Sequence, residues 1–228
     1  LSASLQWAGG LLAGGGILAV KNVGGYQLAC DAAQAAPVER LRRWKERERK
    51  PFALLARDVA AAARVCRIAE SEQQALEDPA RPIVLLERRP AAEWQLAAAV
   101  APGQPRLGVM LPSSPLHELL LAASGQELVV MTSGNTTDDP QIIDDGEALA
   151  ALGPIAEFAL THNRPIAMRV DDSVTRIMDG TARILRRGRG YAPGAIALPK
   201  GFSQVPDIVA MGGELGPPGQ VGVDRPDH

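Results

Sequence analysis

Aromatic residues are scarce, with three Phe, two Tyr and three Trp among 228 positions. That disfavours a single-strand nucleic-acid platform, which stacks successive bases on rings. Cysteine is scarcer still. Cys30 and Cys66 lie far apart with no C-x-x-C spacing, which argues against a disulfide framework and a structural zinc site and fits a reducing, cytosolic setting. No span is apolar for the roughly 20 residues that a membrane helix needs. The longest apolar stretch, 8–20, contains five glycines. There is no G-x-x-x-x-G-K-(S/T) phosphate loop, and the triplet Gly14 to Gly16 precedes a strand-like run, the wrong order for a dinucleotide fingerprint. The chain opens on Leu1 without a charged leader, so it reads as a segment of something longer.

With 46% apolar residues, the chain has material for one large domain. Strand-like runs recur at 17–20, 52–55, 83–86, 107–111 and 128–131. Helical periodicity falls at 36–49, 59–69, 115–123 and 146–152, the last preceded by Asp144 and Asp145, where carboxylates suit a helix start. This alternation predicts an α/β fold. Asp179-Gly180 between two β-like arms predicts a hairpin. Residues 1–200 read as one domain and 201–228, rich in Gly, Pro and Asp, as a tail without a core of its own.

Positive charge is concentrated although the formal net charge is only −2. Arg40, Arg42, Arg43, Lys45, Arg47, Arg49 and Lys50 fall within one short run, and Arg183, Arg186, Arg187 and Arg189 within another. On a helix 36–49, Arg43 and Arg47 would share a face and Pro51 would end it, with Arg42 on the solvated side. The run "VVMTSGN" ends a buried strand in Thr132, Ser133 and Asn135, at the edge where open α/β sheets bind ligands. Cations plus hydroxyl and amide donors suit a polyphosphate, and the backbone of an RNA would satisfy them too. His117 reads as a helix residue rather than a metal ligand, because no partner stands at metal spacing, and His162 is ambiguous. Asp171 and Asp172 are candidates to chelate Mg²⁺ or are simply turn residues. No protein metal site is expected.

The ordered blocks "GGGILAVKNVGGYQLACDA", "LRRWKERERKPFALL", "GVMLPSSPLHELLL", "VVMTSGN", "RVDDSVTRI" and "ILRRGRGYAP" resemble the YrdC-like domain of HypF, the carbamoyltransferases that mature nickel–iron hydrogenases. The resemblance implies a twisted, open mixed sheet with a concave basic face that forms a carbamoyl adenylate from ATP, Mg²⁺ and carbamate derived from carbamoyl phosphate. It implies ATP-binding roles for Lys45, Arg47, Lys50, Thr132, Ser133, Asn135, Ser173 and Arg186, with Lys45 and Arg47 catalytic. Departures stand at Asn22 and Gln27, where the family commonly has Gly and His. The run "VAMGGELGPPGQV" begins like the start of the following transferase domain. Such a fragment is expected to need the remaining HypF-type domains and a HypE-like acceptor to complete transfer.

Two related readings compete. Threonylcarbamoyl-adenylate synthases, which serve tRNA modification, share the Lys-x-Arg and Ser-x-Asn elements, but Met110, Gly24 and Gly25 stand here where those synthases present polar groups. Substrate choice is therefore expected to favour carbamate over threonine. A double-stranded RNA-binding module would use the basic face for backbone phosphates. An inert scaffold whose basic segments dock partner domains is a third possibility.

Overall fold

Strand propensity, not helix packing, organises the chain. The computed structural model describes residues 2–90, 94–136 and 139–196; the expected tail 201–228 and the boundary at 200 lie outside them. In chain order the elements are α1 (Ala3–Ala13), β1 (Leu18–Lys21), β2 (Tyr26–Asp31), α2 (Ala35–Trp44), β3 (Ala53–Ala56), α3 (Val59–Ala63), β4 (Cys66–Arg67), α4 (Glu70–Glu77), β5 (Ile83–Arg88), β6 (Arg106–Met110), α5 (Pro115–Ser124), β7 (Leu128–Ser133), α6 (Asp145–Leu152), β8 (Phe158–Leu160), β9 (Val174–Met178) and β10 (Thr181–Arg186). The ten strands form one mixed sheet in the order β10-β9-β5-β6-β3-β7-β2-β1-β8, with β4 paired to β5. The α/β expectation is met.

Both faces of the central strands are apolar, and each face buries its own core. Leu54, Val84, Leu86, Val109 and Val130 face one core, while Leu55, Ile83, Met110, Val129 and Met131 face the other. The second core is roofed by α1 and α5, which cross closely because Gly9 has no side chain. A Cβ there would stand 2.4 Å from the Ala123 backbone. This roof covers only part of the sheet, and the uncovered part holds the site described below. Helix α1 has 11 residues, and no described helix is long and apolar enough to cross a membrane.

The hairpin β9–β10 turns at Asp179 (φ 51°) and Gly180 (φ 72°), the left-handed pair its sequence calls for. Asp144 caps α6 by accepting from the Glu147 N–H at 2.9 Å. Two helical expectations need correction. The stretch 59–69 is helical only to Ala63, because Val65 and Cys66 are buried and Cys66 and Arg67 pair with β5 instead. The stretch 36–49 is helical only from Ala35 to Trp44, for a reason that shapes the site.

Candidate nucleotide site

Helix α2 ends where Glu46 takes a left-handed φ of 50°, the conformation that usually belongs to a glycine just past a helix end. The chain reverses there, so Arg43 and Arg47 do not share a face. Arg43 is exposed, 4.0 Å from Glu39, whereas Arg47 turns under the sheet edge. Arg42 fixes this reversal and is not a solvated residue. Its guanidinium donates to the carbonyls of Arg47 (2.9 Å), Lys50 (3.1 Å) and Ala99 (2.8 Å from Nε) and stacks 4.7 Å above the Phe52 ring. Arg42→Ala is therefore expected to destabilise the fold by roughly 2 kcal/mol or more, since it strands several carbonyls, and to loosen the segment that carries Arg47. Urea unfolding of the variant checks this, and a change under 0.5 kcal/mol, the size typical of open surface positions, would return Arg42 to solvent.

The reversed segment, the end of β7 and the start of β9 surround a cavity of about 410 Å³, within the range of small-molecule sites. Its floor is apolar, built from Ala53, Ile83, Leu85, Gly108, Met131 and Val174 on five neighbouring strands. Its rim carries Arg47, Lys50 and Arg186, the polar loop Thr132, Ser133 and Asn135, and the carboxylates Asp139, Asp171 and Asp172. The face is thus mixed in charge rather than uniformly basic. Antiparallel pairing of β3 with β7 brings residues 45–51 and 132–135 together across a long sequence gap.

Six of the eight residues expected at the site line this cavity: Arg47, Lys50, Thr132, Ser133, Asn135 and Arg186. Lys45 and Ser173 do not. Lys45 is fully buried behind the loop, where its ammonium donates to the Ser133 carbonyl (2.7 Å), Asn135 Oδ1 (3.0 Å) and the Asn135 carbonyl. Burial first, then Arg47 and Lys50, push its pKa down to about 7. The geometry nonetheless displays an ammonium, because each of those acceptors needs a proton. Ser173 is also fully buried; its hydroxyl donates to the Arg189 carbonyl and accepts from the Gly188 N–H, tying β9 to the following turn.

Arg47 has no carboxylate partner among the described residues, and its Nε–H is buried without an acceptor. Burial lowers its pKa, and Arg42 and Arg186 lower it further. Three cations that repel one another beside a cavity make a place where an anion lowers the energy of the empty fold. Lys50 is exposed and likewise makes no ion pair among the described residues, while Arg186 stands 3.6 Å from Asp171.

The inner end of the cavity holds a network that sequence reasoning did not foresee. Gln27 on β2, 3% exposed, lines the wall. Its Oε1 accepts from Asn22 Nδ2 at 3.0 Å and lies 3.1 Å from His117 Nε2, while its Nε2 donates to Asp172 Oδ2 at 2.9 Å. Asp172 Oδ1 in turn accepts from Arg189 Nε at 2.8 Å. His117 is a buried residue of α5, and the described residues contain no group of three or more His, Cys, Asp or Glu that could hold a metal ion. Asp171 and Asp172 each stand beside an arginine, Arg186 at 3.6 Å and Arg189 at 2.8 Å. His162 lies outside the cavity, its carbonyl accepting from Lys21. Both cysteines are buried and free, and burial pushes the Cys66 thiol up to about 12. Met110, Gly24 and Gly25 are not among the residues that line the cavity, although Gly25 packs against Gln141, which is.

Burial pushes the His117 pKa down to about 4, against the pull of Asp172. A histidine held neutral in the fold favours folding while the unfolded imidazole is also neutral, above about pH 6.5. That contribution is lost as pH falls from about 6.5 toward 4, amounting to roughly 3 kcal/mol in all. The urea midpoint is expected to drop over this window, and less so in His117→Gln. Parallel pH profiles for the two proteins would contradict the assignment.

A family model described as telomere recombination, that of the Sua5/YciO/YrdC proteins, matches residues 10–188. The chain belongs to this family. Within it the similarity to HypF is strong: the chain is 48% identical to the carbamoyltransferase HypF of Rhodobacter capsulatus over 204 residues, 90% of this chain and 26% of that protein. A crystal structure of full-length HypF in a phosphate- and nucleotide-bound form superposes with a TM-score of 0.79 at 42% identity, covering 84% of this chain and 30% of that one. HypF of T. kodakarensis gives 0.80 at 38% identity, covering 84% and 25%. This YrdC-type chain therefore spans about a quarter of the length of the HypF proteins it matches.

Proposed function

We propose that this YrdC-type domain binds ATP in the cavity and forms a carbamoyl adenylate, as the adenylating part of a HypF-type carbamoyltransferase in hydrogenase maturation. The observation that carries the reading is the partly buried Arg47, without a carboxylate partner among the described residues, set with Lys50 and Arg186 around a cavity whose floor is apolar. A polyphosphate suits the cations and a flat base suits the floor. The nucleotide- and phosphate-bound HypF relative supports it.

In this mechanism a carbamate oxygen attacks the α-phosphorus, the new O–P bond forms, and the bond to the β-phosphate oxygen breaks to release pyrophosphate. Charge accumulates on the departing oxygens, where Arg47, Lys50 and Arg186 stabilise it. Carbamate is already an anion, so no general base is needed. Mg²⁺ would arrive on the nucleotide phosphates, and of the cavity carboxylates Asp171 and Asp172 already face Arg186 and Arg189. Thr132, Ser133 and Asn135 hold the phosphates, with Lys45 setting the loop they occupy and Ser173 setting the start of β9. Carbamoyl phosphate as the source, the remaining HypF-type domains and a HypE-like acceptor complete the proposed reaction.

Calorimetric titration with Mg-ATP and with double-stranded RNA at 50 and 200 mM salt tests the site. ATP is expected to bind at both salts with less than about a tenfold change, since few phosphates are contacted. Tight RNA binding that falls roughly a thousandfold or more over that range, without ATP binding, would replace this reading with a nucleic-acid module.

A further inference from the structure

The inner wall of the cavity ends on an amide whose orientation is fixed on three sides. Asp172 is a carboxylate and only accepts hydrogen bonds, so the Gln27 atom facing it at 2.9 Å is the nitrogen. The Gln27 oxygen then faces Asn22 Nδ2 and His117 Nε2, which fills both its lone pairs. His117, held neutral by burial, carries its proton on Nε2 to make that bond, and its Nδ1 lies 3.4 Å from the Ser113 hydroxyl. Arg189 holds the other Asp172 oxygen. A primary amide has two N–H groups, and Gln27 uses one on Asp172. The second has no acceptor among the described residues, in a side chain that is 3% exposed and lines the cavity.

We propose that Gln27 is the residue that recognises the acyl end of the substrate, its remaining N–H donating to an oxygen of a small planar acyl anion of the carbamate or bicarbonate type. The inference rests on the nucleotide reading of the same cavity. A single acyl oxygen needs only one donor, whereas a phosphate needs several, and Arg189 offsets the charge of the Asp172 carboxylate behind the amide. A buried donor left without an acceptor costs free energy, and the ligand oxygen removes that cost. His117 and Asp172 are positioning residues: they touch Gln27 from behind and keep the amide from flipping to present its oxygen.

The test uses the 228-residue chain loaded with α,β-methylene-ATP and titrated with ¹³C-bicarbonate, a stable mimic of carbamate, with binding read by NMR. Wild type is expected to bind bicarbonate, with at least tenfold weaker binding in Gln27→Glu and in Gln27→Met, while the affinity for the ATP analogue stays within threefold in both. Gln27→Met removes the donor without adding charge, so loss in both variants separates the missing N–H from repulsion. Unchanged bicarbonate binding in Gln27→Met with the analogue bound overturns the role of Gln27 and leaves the nucleotide site standing. No bicarbonate binding by analogue-loaded wild type overturns the acyl-anion assignment. No binding of the analogue itself overturns the nucleotide reading and this inference with it.

Discussion

Lys45→Ala is expected to lose at least about 3 kcal/mol of stability and to weaken Mg-ATP binding by roughly tenfold to 150-fold, although Lys45 does not line the cavity. Its ammonium is what the Ser133 carbonyl, the Asn135 carbonyl and Asn135 Oδ1 converge on. Without it those acceptors lose their shared charged donor, and the loop that Thr132, Ser133 and Asn135 form loses the group that gathers it. Asn135 Oδ1 also accepts from the Ser133 hydroxyl at 2.6 Å, so the two cavity-lining side chains move together. Urea unfolding and calorimetry on Lys45→Ala and Lys45→Met measure the two effects. A variant that keeps wild-type stability and loses only ATP affinity would instead make Lys45 a direct ligand of the phosphates.

Arg189→Ala is expected to cost about 3 to 5 kcal/mol, the penalty for leaving a buried charge without its partner. The Arg189–Asp172 pair is only 13% and 14% exposed, and the same guanidinium donates to the carbonyls of Ala80 (3.1 Å) and Arg81 (2.9 Å). Its loss leaves Asp172 buried beside Gln27 with a charge to neutralise. Thermal unfolding of Arg189→Ala beside Arg189→Lys checks this: the lysine keeps the charge next to Asp172, and equal deficits in the two variants would mean that the lost carbonyl bonds, not the bare carboxylate, carry the effect.

Much of the sheet was legible because its central strands are continuous apolar runs, as strands buried on both faces must be. The β9–β10 turn was legible for a different reason: Asp-Gly at a two-residue turn encodes its own backbone conformation. Strand β2 was not read as a strand, although all six of its residues are buried, because Gln27 and Asp31 interrupt the apolar pattern; Asp31 is satisfied locally by the Ala33 N–H and Gln34, whereas Gln27 reaches His117 and Asp172 far along the chain. The same holds for the cationic run. Helical periodicity extends naturally through Arg49, and nothing local announces that Glu46 will adopt a left-handed conformation. The tertiary bonds of Arg42 to Ala99, Arg47 and Lys50 decide it, and they reverse the expected roles, making Arg42 a structural residue and Lys45 a buried one. Which residue types gather at the site could be read from spacing; which of them face the ligand could not, because that depends on long-range hydrogen bonds.

The central claim is that this cavity joins carbamate to the α-phosphate of ATP, and isotope exchange between labelled pyrophosphate and ATP measures that reversal directly. Ammonium and bicarbonate in solution equilibrate with carbamate, so they supply the substrate without any further domain. Exchange is expected with Mg-ATP plus ammonium bicarbonate, to be absent when either is omitted, and to fall at least tenfold in Arg47→Ala, whose guanidinium lines the cavity without a carboxylate partner among the described residues. Exchange that requires threonine with bicarbonate, and does not respond to ammonium, would contradict the account and assign the cavity to a threonylcarbamoyl adenylate.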